Sequence, residues 1–309
     1  MVKTIISEGL PVDEKLIIRK NVIQGKTGNK RICIVTGTHG DELEGQYVCF
    51  ELIRMLNENI DSLNGTVEIY PALNPLGLDS VNRGFPTFDL DMNRIFPGDA
   101  GGHLIENIAH QIVNDLKGAD MVIDIHSSNI FLREMPQARV NIEMADQLVP
   151  FAKLLNLDFI WVHGAATVLE STLAHSLNVI GTPTVVVEMG IGMRITRLYG
   201  DRLIDGIINL MKEMGMWTGA VAEDISNPQL STLGEVCFLN AEASGIIIPS
   251  VSHSVHVKKG DLLCQIVDPF GGTILENVLS PVDGLLFTLR TYPVVNEGSL
   301  IARIFSETN

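Results

Sequence analysis

The sequence predicts an α/β fold, with a mixed, largely parallel sheet carrying helices on both faces and a smaller carboxyl-terminal all-β domain. Two observations predict it. Short apolar runs alternate with helix-period segments as far as residue 222. Beyond Ala222 the helical period stops, and short β-rich runs separated by turn residues take over. A chain of 309 residues divides naturally into one large and one small unit, here 1–222 and 223–309.

The elements follow in order. Arg31-Ile32-Cys33-Ile34-Val35 is a short apolar run that reads as a buried strand. After it, Leu43, Tyr47, Phe50, Leu52, Met55 and Leu56 recur at roughly helical spacing through 41–59. Further strand-like runs cover 66–70, 121–125, 159–162 and 183–187, and helix-like runs cover 102–116, 142–155, 171–177 and 196–214. Strands alternating with helices imply crossover connections, and hence parallel neighbours. The stretch 73–101 breaks this rhythm with Pro75, Pro86, Pro97 and several glycines. An irregular segment of that length in a compact domain is more often functional than idle. In the last part, 244–251, 261–267, 284–291 and 299–305 are the β-rich runs.

Three of the predicted strands end in chemistry. Thr36-Gly37-Thr38-His39-Gly40-Asp41-Glu42 follows the first and sets His39 and Glu42 three residues apart on a strand-to-helix turn. Ligands of open α/β sheets bind at such carboxyl edges. Asp124-Ile125-His126-Ser127 closes the second and Val187-Glu188-Met189-Gly190 the third. Two imidazoles and a carboxylate suit a catalytic Zn²⁺, which takes three protein ligands and leaves a position open. Glu188 is left over as a base. The competing reading of residues 37–45, a glycine-rich phosphate cradle, lacks the Lys-Ser/Thr of a P-loop and the dinucleotide glycine spacing. Buried charges are costly unless paired or metal-bound, so three such endings favour a metal.

These residues carry a resemblance. Gly37 to Gly45, Leu73-Asn74-Pro75, Asp89-Leu90-Asp91-Met92-Asn93-Arg94-Ile95-Phe96-Pro97-Gly98, Asp124-Ile125-His126-Ser127 and Val187-Glu188-Met189-Gly190 resemble, in order, the motifs of the succinylglutamate desuccinylase/aspartoacylase family. That family is the small-substrate branch of the zinc carboxypeptidases. The resemblance implies one zinc held by His39, Glu42 and His126, Glu188 as general base, Arg83 as the oxyanion donor, and Asn93 with Arg94 on a substrate carboxylate. It also implies a carboxyl-terminal β-domain covering the active site. The chemistry agrees: zinc acidifies a water and polarises a carbonyl, a positioned carboxylate moves the proton, and a guanidinium fork matches a carboxylate. Asp124 reads as support for His126, one pleat away on the same face.

In the β-domain, Val257-Lys258-Lys259-Gly260-Asp261 and Val295-Asn296-Glu297-Gly298-Ser299 look like two copies of one turn. With Ser280-Pro281-Val282-Asp283-Gly284 they resemble the barrel-sandwich hybrids of biotinyl and lipoyl carriers. No lysine lies between Asp268 and Pro281, so attachment of a prosthetic group is rejected.

The net charge of −15 argues against nucleic-acid or anionic-membrane partners, which need clustered Lys and Arg. No apolar run approaches a membrane span, and residues 1–8 lack a signal-peptide core, so a cytoplasmic location is expected. Cys33, Cys49, Cys237 and Cys264 are scattered among apolar neighbours and read as thiols in a reducing compartment. His103, Glu106 and His110 read as a solvated helix face, His253 and His256 as turn or surface residues, and His163 as a possible pocket residue. The resulting expectation is a zinc-dependent deacylase acting on a small N-acyl amino acid, possibly a homo-oligomer. The alternatives are a metallocarboxypeptidase acting on short peptides and a non-catalytic binding module.

Overall fold

The computed structural model describes residues 1–86, 88–164 and 170–307. Thr87, within the irregular stretch 73–101, lies outside the described residues. In chain order the first elements are β1 (Val2–Gly9), β2 (Lys15–Gln24), β3 (Arg31–Val35), α1 (Glu44–Glu58), β4 (Thr66–Tyr70) and α2 (Pro75–Ser80). Next come α3 (Leu104–Leu116), β5 (Met121–Ser127), β6 (Leu132–Asn141), α4 (Ala145–Ala152), β7 (Phe159–His163), α5 (Leu173–Val179), β8 (Thr184–Gly190) and α6 (Arg197–Glu213). The all-β part comprises β9 (Gln229–Leu230), β10 (Gly234–Asn240), β11 (Gly245–Pro249), β12 (Val255–Val257) and β13 (Leu262–Asp268). It closes with β14 (Thr273–Leu279), β15 (Gly284–Arg290), β16 (Val294–Val295) and β17 (Leu300–Glu307).

The large sheet runs β1-β2-β4-β3-β5-β8-β6-β15-β17-β10. Its centre is parallel, with β3 between β4 and β5 and β5 against β8, while β1, β2 and β6 join antiparallel. The mixed, largely parallel sheet is therefore present. Central strands here are buried on both sides, which is why 31–35 and 121–125 read as continuous apolar runs. On one face Val48, Cys49, Leu52 and Leu56 of α1 pack with α4 and α6. On the other, Ile105, Ile108 and Ile112 of α3 pack with Leu173 and Leu177 of α5. Each such aliphatic side chain contributes roughly 1.5–3 kcal/mol by leaving water.

Three strands within residues 1–222 escape the sequence reading. β1 carries a single buried residue, and in β2 the buried positions Leu16, Ile18 and Lys20 alternate but the last is a lysine, which interrupts the apolar period. Strand β6 contains Pro136, and its register slips between Glu134 and Gln137. A proline at a bulge is one of the few ways a central strand tolerates one. The predicted helix at 142–155 is a 3-10 turn followed by α4, and the one at 171–177 starts two residues later.

A four-stranded sheet, β14-β13-β11-β16, faces the end of the large sheet across a core that includes Leu263, Ile266, Leu286 and Ile304. The two turn copies match in detail. Gly260 and Gly298 have φ of +90° and +81°. Gly260 N donates to Ser280 O at 2.8 Å and Gly298 N to Ala241 O at 2.8 Å. Lys259 N donates to Asp283 Oδ1, and Glu297 N to Ser244 Oγ. This part joins the rest through β15, which pairs with β6, and through Phe287 and Phe305 packed on Phe159. Among the described residues no helix is long and apolar enough to cross a membrane.

Candidate active site

The turn after β3 is built by close approach. Thr36 Oγ1 donates to Ile125 O at 2.9 Å, tying β3 to β5. A Cβ at Gly45 would meet Thr36 Oγ1 at 2.1 Å, so only glycine lets α1 start this close to the strand end. Asn74 caps α2 by accepting from Gly77 N at 2.8 Å, with Pro75 at the first helical position. Leu73 N and Asn74 N bond to Thr36 O and Gly37 O, and Gly40 N bonds to Asn82 O and Arg83 O. These bonds dock the irregular stretch against the turn and bring Arg83 beside Glu42.

His39, Glu42 and His126 are all buried, and one candidate ligand atom from each lies within 4.8 Å of the others. His39 Nδ1 is 2.8 Å from Glu42 Oε1, and His126 Nδ1 is 2.9 Å from Glu42 Oε2. The opposite nitrogens face carboxylates: His39 Nε2 lies 2.9 Å from Asp91 Oδ1, and His126 Nε2 3.2 Å from Asp124 Oδ1. A carboxylate behind each imidazole is the support that fixes the tautomer of a metal-binding histidine. His39 Nδ1 has no hydrogen-bond partner although it is buried beside Glu42. An orphaned buried nitrogen facing a carboxylate, with a second imidazole opposite, is a donor set that fits zinc.

Electrostatics reflect the crowding. Burial alone would lower the pKa of His39, but Glu42 and Asp91 outweigh it and raise it. His126 behaves alike: burial opposes, and Asp124 with Glu42 raises it well above the usual value. Burial would raise the Glu42 carboxyl, yet the two histidines hold it well below its usual range.

Strands β5 and β8 pair with His126 opposite Glu188, so both side chains leave the sheet at one level. Gly190, with φ of +71°, ends β8, and a Cβ there would strike the Glu44 side chain at 2.0 Å. Burial raises the pKa of Glu188, and Glu42 and Glu134 add to the rise while Arg139 opposes it. Arg83 Nη1 donates to Glu42 Oε1 at 2.7 Å, and its Nε is 3.4 Å from Asp91 Oδ2. Asn93 Oδ1 accepts from Leu173 N at 2.9 Å, at the start of α5. Arg94 Nη1 donates to Asn93 O at 2.7 Å, and no carboxylate lies within ion-pair range of Arg94 among the described residues. His39, Arg83, Asn93, Arg94, His126 and Glu188 line one cleft of about 180 Å³; Glu42 lies directly behind it, and His163 is a further wall residue.

The sequence reading gave no role to five residues here. Asp91 supports His39 and caps the turn that carries Asn93 and Arg94, accepting from Asn93 N at 2.9 Å. An Asp two positions before Asn-Arg is a capping signal that was available. Arg139 of β6 reaches Glu188 Oε1 at 3.1 Å and Glu134 Oε1 at 2.9 Å. Arg303 of β17 donates to Glu134 Oε1 at 2.8 Å, and Gln137 also donates to Glu134. No local pattern announces a contact between residues 134 and 303. Elsewhere, His103 N bonds to Glu106 at the start of α3, and His110 bonds to Asn114, as a helix cap and face would. His256 is exposed, but His253 is half-buried with Nε2 3.3 Å from Phe287 O.

The sequence matches the model of the succinylglutamate desuccinylase/aspartoacylase catalytic domain over residues 28–214. The chain belongs to this family. A relative, the N-alpha-acetyl-L-2,4-diaminobutyric acid deacetylase of Halomonas elongata, is 25% identical over 295 residues, covering 90% of this chain and 83% of the relative. Among solved structures, the product-bound ectoine utilization protein EutE (DoeB) of Ruegeria pomeroyi aligns with a TM-score of 0.84 at 20% identity. That alignment covers 98% of this chain and 95% of the other. The succinylglutamate desuccinylase/aspartoacylase of Rhodobacter sphaeroides aligns with a TM-score of 0.83 at 21% identity, over 100% and 96% of the two chains. These likenesses establish the fold of the family member described here.

Proposed function

We propose that this protein is a zinc-dependent hydrolase that cleaves the amide bond of a small N-acyl amino acid. The observation that carries the reading is the alignment of His39, Glu42 and His126 with Glu188 across the paired ends of β3, β5 and β8. A zinc held by those three residues would supply an acidified water and a polarised carbonyl. Glu188 takes the proton of the attacking water and delivers it to the leaving amine. Burial, with Glu42 and Glu134 nearby, raises its pKa, which favours uptake of the proton. Arg83 stabilises the developing charge on the carbonyl oxygen. Arg94, which lacks a carboxylate partner among the described residues, holds the substrate carboxylate as a guanidinium fork with Asn93 beside it. The relative from Halomonas elongata makes N-acetylated diaminobutyrate a natural first compound to try.

The carboxypeptidase alternative uses the same chemistry and differs in access. Segment 172–178 walls one side of Glu188, and Arg303 of the β-domain lines a small chamber on the other. An extended peptide would have to pass both, which favours a small substrate and a β-domain that covers the cleft. The test is turnover by the zinc-loaded chain of N-acyl amino acids beside extended peptides. Hydrolysis of an extended peptide at a rate comparable to the best acylated amino acid would overturn the choice. Hydrolysis of neither class would overturn the enzyme.

A further inference from the structure

Resting on the deacylase reading, a count of cations in the cleft constrains the substrate further. Three arginines line it: Arg83, Arg94 and Arg139. Arg139 is held by Glu134 at 2.9 Å and Glu188 at 3.1 Å. The adjoining chamber adds Arg303, which is also held by Glu134 at 2.8 Å. Two acids thus face two bases around Glu188, and that group is neutral as a whole. Arg83 lies between Glu42 and Asp91. Arg94 alone among these arginines has no carboxylate in range within the described residues.

Among the described residues the rest of the cleft wall holds no lysine and no further arginine. Asn178 is closed on Thr184, accepting from its N at 2.8 Å and donating to its O at 3.0 Å. Asn141 accepts from Glu143 N at 3.1 Å. Burial and the nearby Arg139 both lower the pKa of His163. Asp124 and Glu188 are the acids already present in the wall.

We infer that the substrate carries a single carboxylate, the one that meets Arg94, and that its amino-acid side chain and its acyl group are uncharged or amine-bearing. A second carboxylate, whether on an aspartate or glutamate side chain or at the end of a dicarboxylic acyl chain, has no further lysine or arginine to meet among the described residues. A buried charge without a partner is strongly unfavourable. This separates the protein from a desuccinylase of acidic amino acids while leaving its chemistry in the same class.

Isosteric pairs isolate charge from shape. The zinc-loaded full chain is assayed on N-acetylasparagine against N-acetylaspartate, and on N-acetylglutamine against N-acetylglutamate. A favoured amino acid is then compared as its N-acetyl and N-succinyl derivatives. The uncharged member of each pair is expected to have a kcat/KM at least ~100-fold higher. Equal or better turnover of the acidic members overturns the inference while leaving the deacylase reading intact. Hydrolysis of no compound overturns both. Arg94→Gln supplies a second arm. It should raise KM for the uncharged compounds, because their only carboxylate loses its partner; an unchanged KM for them would place Arg94 elsewhere and overturn the count.

Discussion

Two buried clusters of ionisable side chains sit on the same sheet, and they differ in one respect. Lys20, Arg31, Glu68, Tyr70 and Asp115 form the first. Lys20 Nζ donates to Glu68 at 3.0 Å, to Tyr70 at 3.1 Å and to Asp115 at 2.8 Å. Arg31 donates to Glu68 and to the carbonyls of Asp115, Leu116 and Lys117. None of these five leaves a buried side-chain atom unpaired among the described residues. The second cluster holds His39, Glu42, His126, Asp91 and Asp124. There His39 Nδ1, His126 Nε2 and both oxygens of Asp124 lack hydrogen-bond partners. The Arg83 and Glu134 groups beside it are full of charge as well. Native proteins pair nearly all buried polar atoms, so a closed cluster is read as scaffold and an open one as a place where a ligand completes the set.

That contrast predicts separable failures. The largest effect is expected from His126→Ala. It should abolish stoichiometric zinc binding by elemental analysis and take turnover with it, since the proposed site loses a direct ligand. The melting temperature of the metal-free protein should change little. Full zinc occupancy in this variant would remove the open cluster from consideration.

Lys20→Met is the converse. It leaves Asp115 without its cation and Glu68 with Arg31 alone, and should cost about 3 kcal/mol of stability. Asp115 is partly exposed, which keeps the loss at the low end of the range for buried pairs. Denaturant titration reads the loss, and zinc content and kcat per folded molecule should remain those of the parent. A fall in kcat would mean the two clusters are coupled.

Glu188→Gln divides the open region itself. The variant keeps its shape but cannot take up a proton at neutral pH, so it should retain zinc and fold while losing at least about a hundredfold in turnover. Near-normal activity would make Glu188 a structural carboxylate held by Arg139.

The smallest effect concerns His253, a buried ionisable group that belongs to neither cluster. Burial, aided by the nearby Arg133, lowers its pKa from 6.5 to about 4. A histidine depressed on folding contributes stability that is present above pH 6.5 and lost as pH falls toward 4, because only the unfolded chain takes up the proton. His253→Gln should therefore flatten the fall in melting temperature between those pH values. Half-burial limits the effect to less than about 2 kcal/mol. An unchanged slope would show that other groups set the acid response.

Legibility followed the same divide between local and distant pairing. The runs 31–35, 121–125 and 183–187 are strands because both faces are buried, and an apolar run bounded by turn residues records that in the chain. The strand β6 was invisible for the opposite reason. Its residues Glu134 and Arg139 are polar because they line the open region, and Gln137 is polar because it donates to Glu134, so no apolar alternation marks it. The repeat of the β-domain turns was readable because Gly260 and Gly298 each need a positive φ, which few residues other than glycine adopt readily.

By itself the sequence determined the family, the α/β class and the His39–Glu42 spacing, since each depends on residues close together in the chain or on motifs kept in order. It also placed His126, Glu188, Asn93 and Arg94 at strand ends and on a loop where a cleft forms. Only the tertiary structure decided which charges are already paired. Arg139 reaches Glu188 from 49 positions away in the chain, and Arg303 meets Glu134 from the far domain. Whether a buried arginine is spent or free depends on which carboxylate the fold brings within about 3 Å. Sequence separation carries no record of that distance, and a charge pair falls off steeply once its partners part.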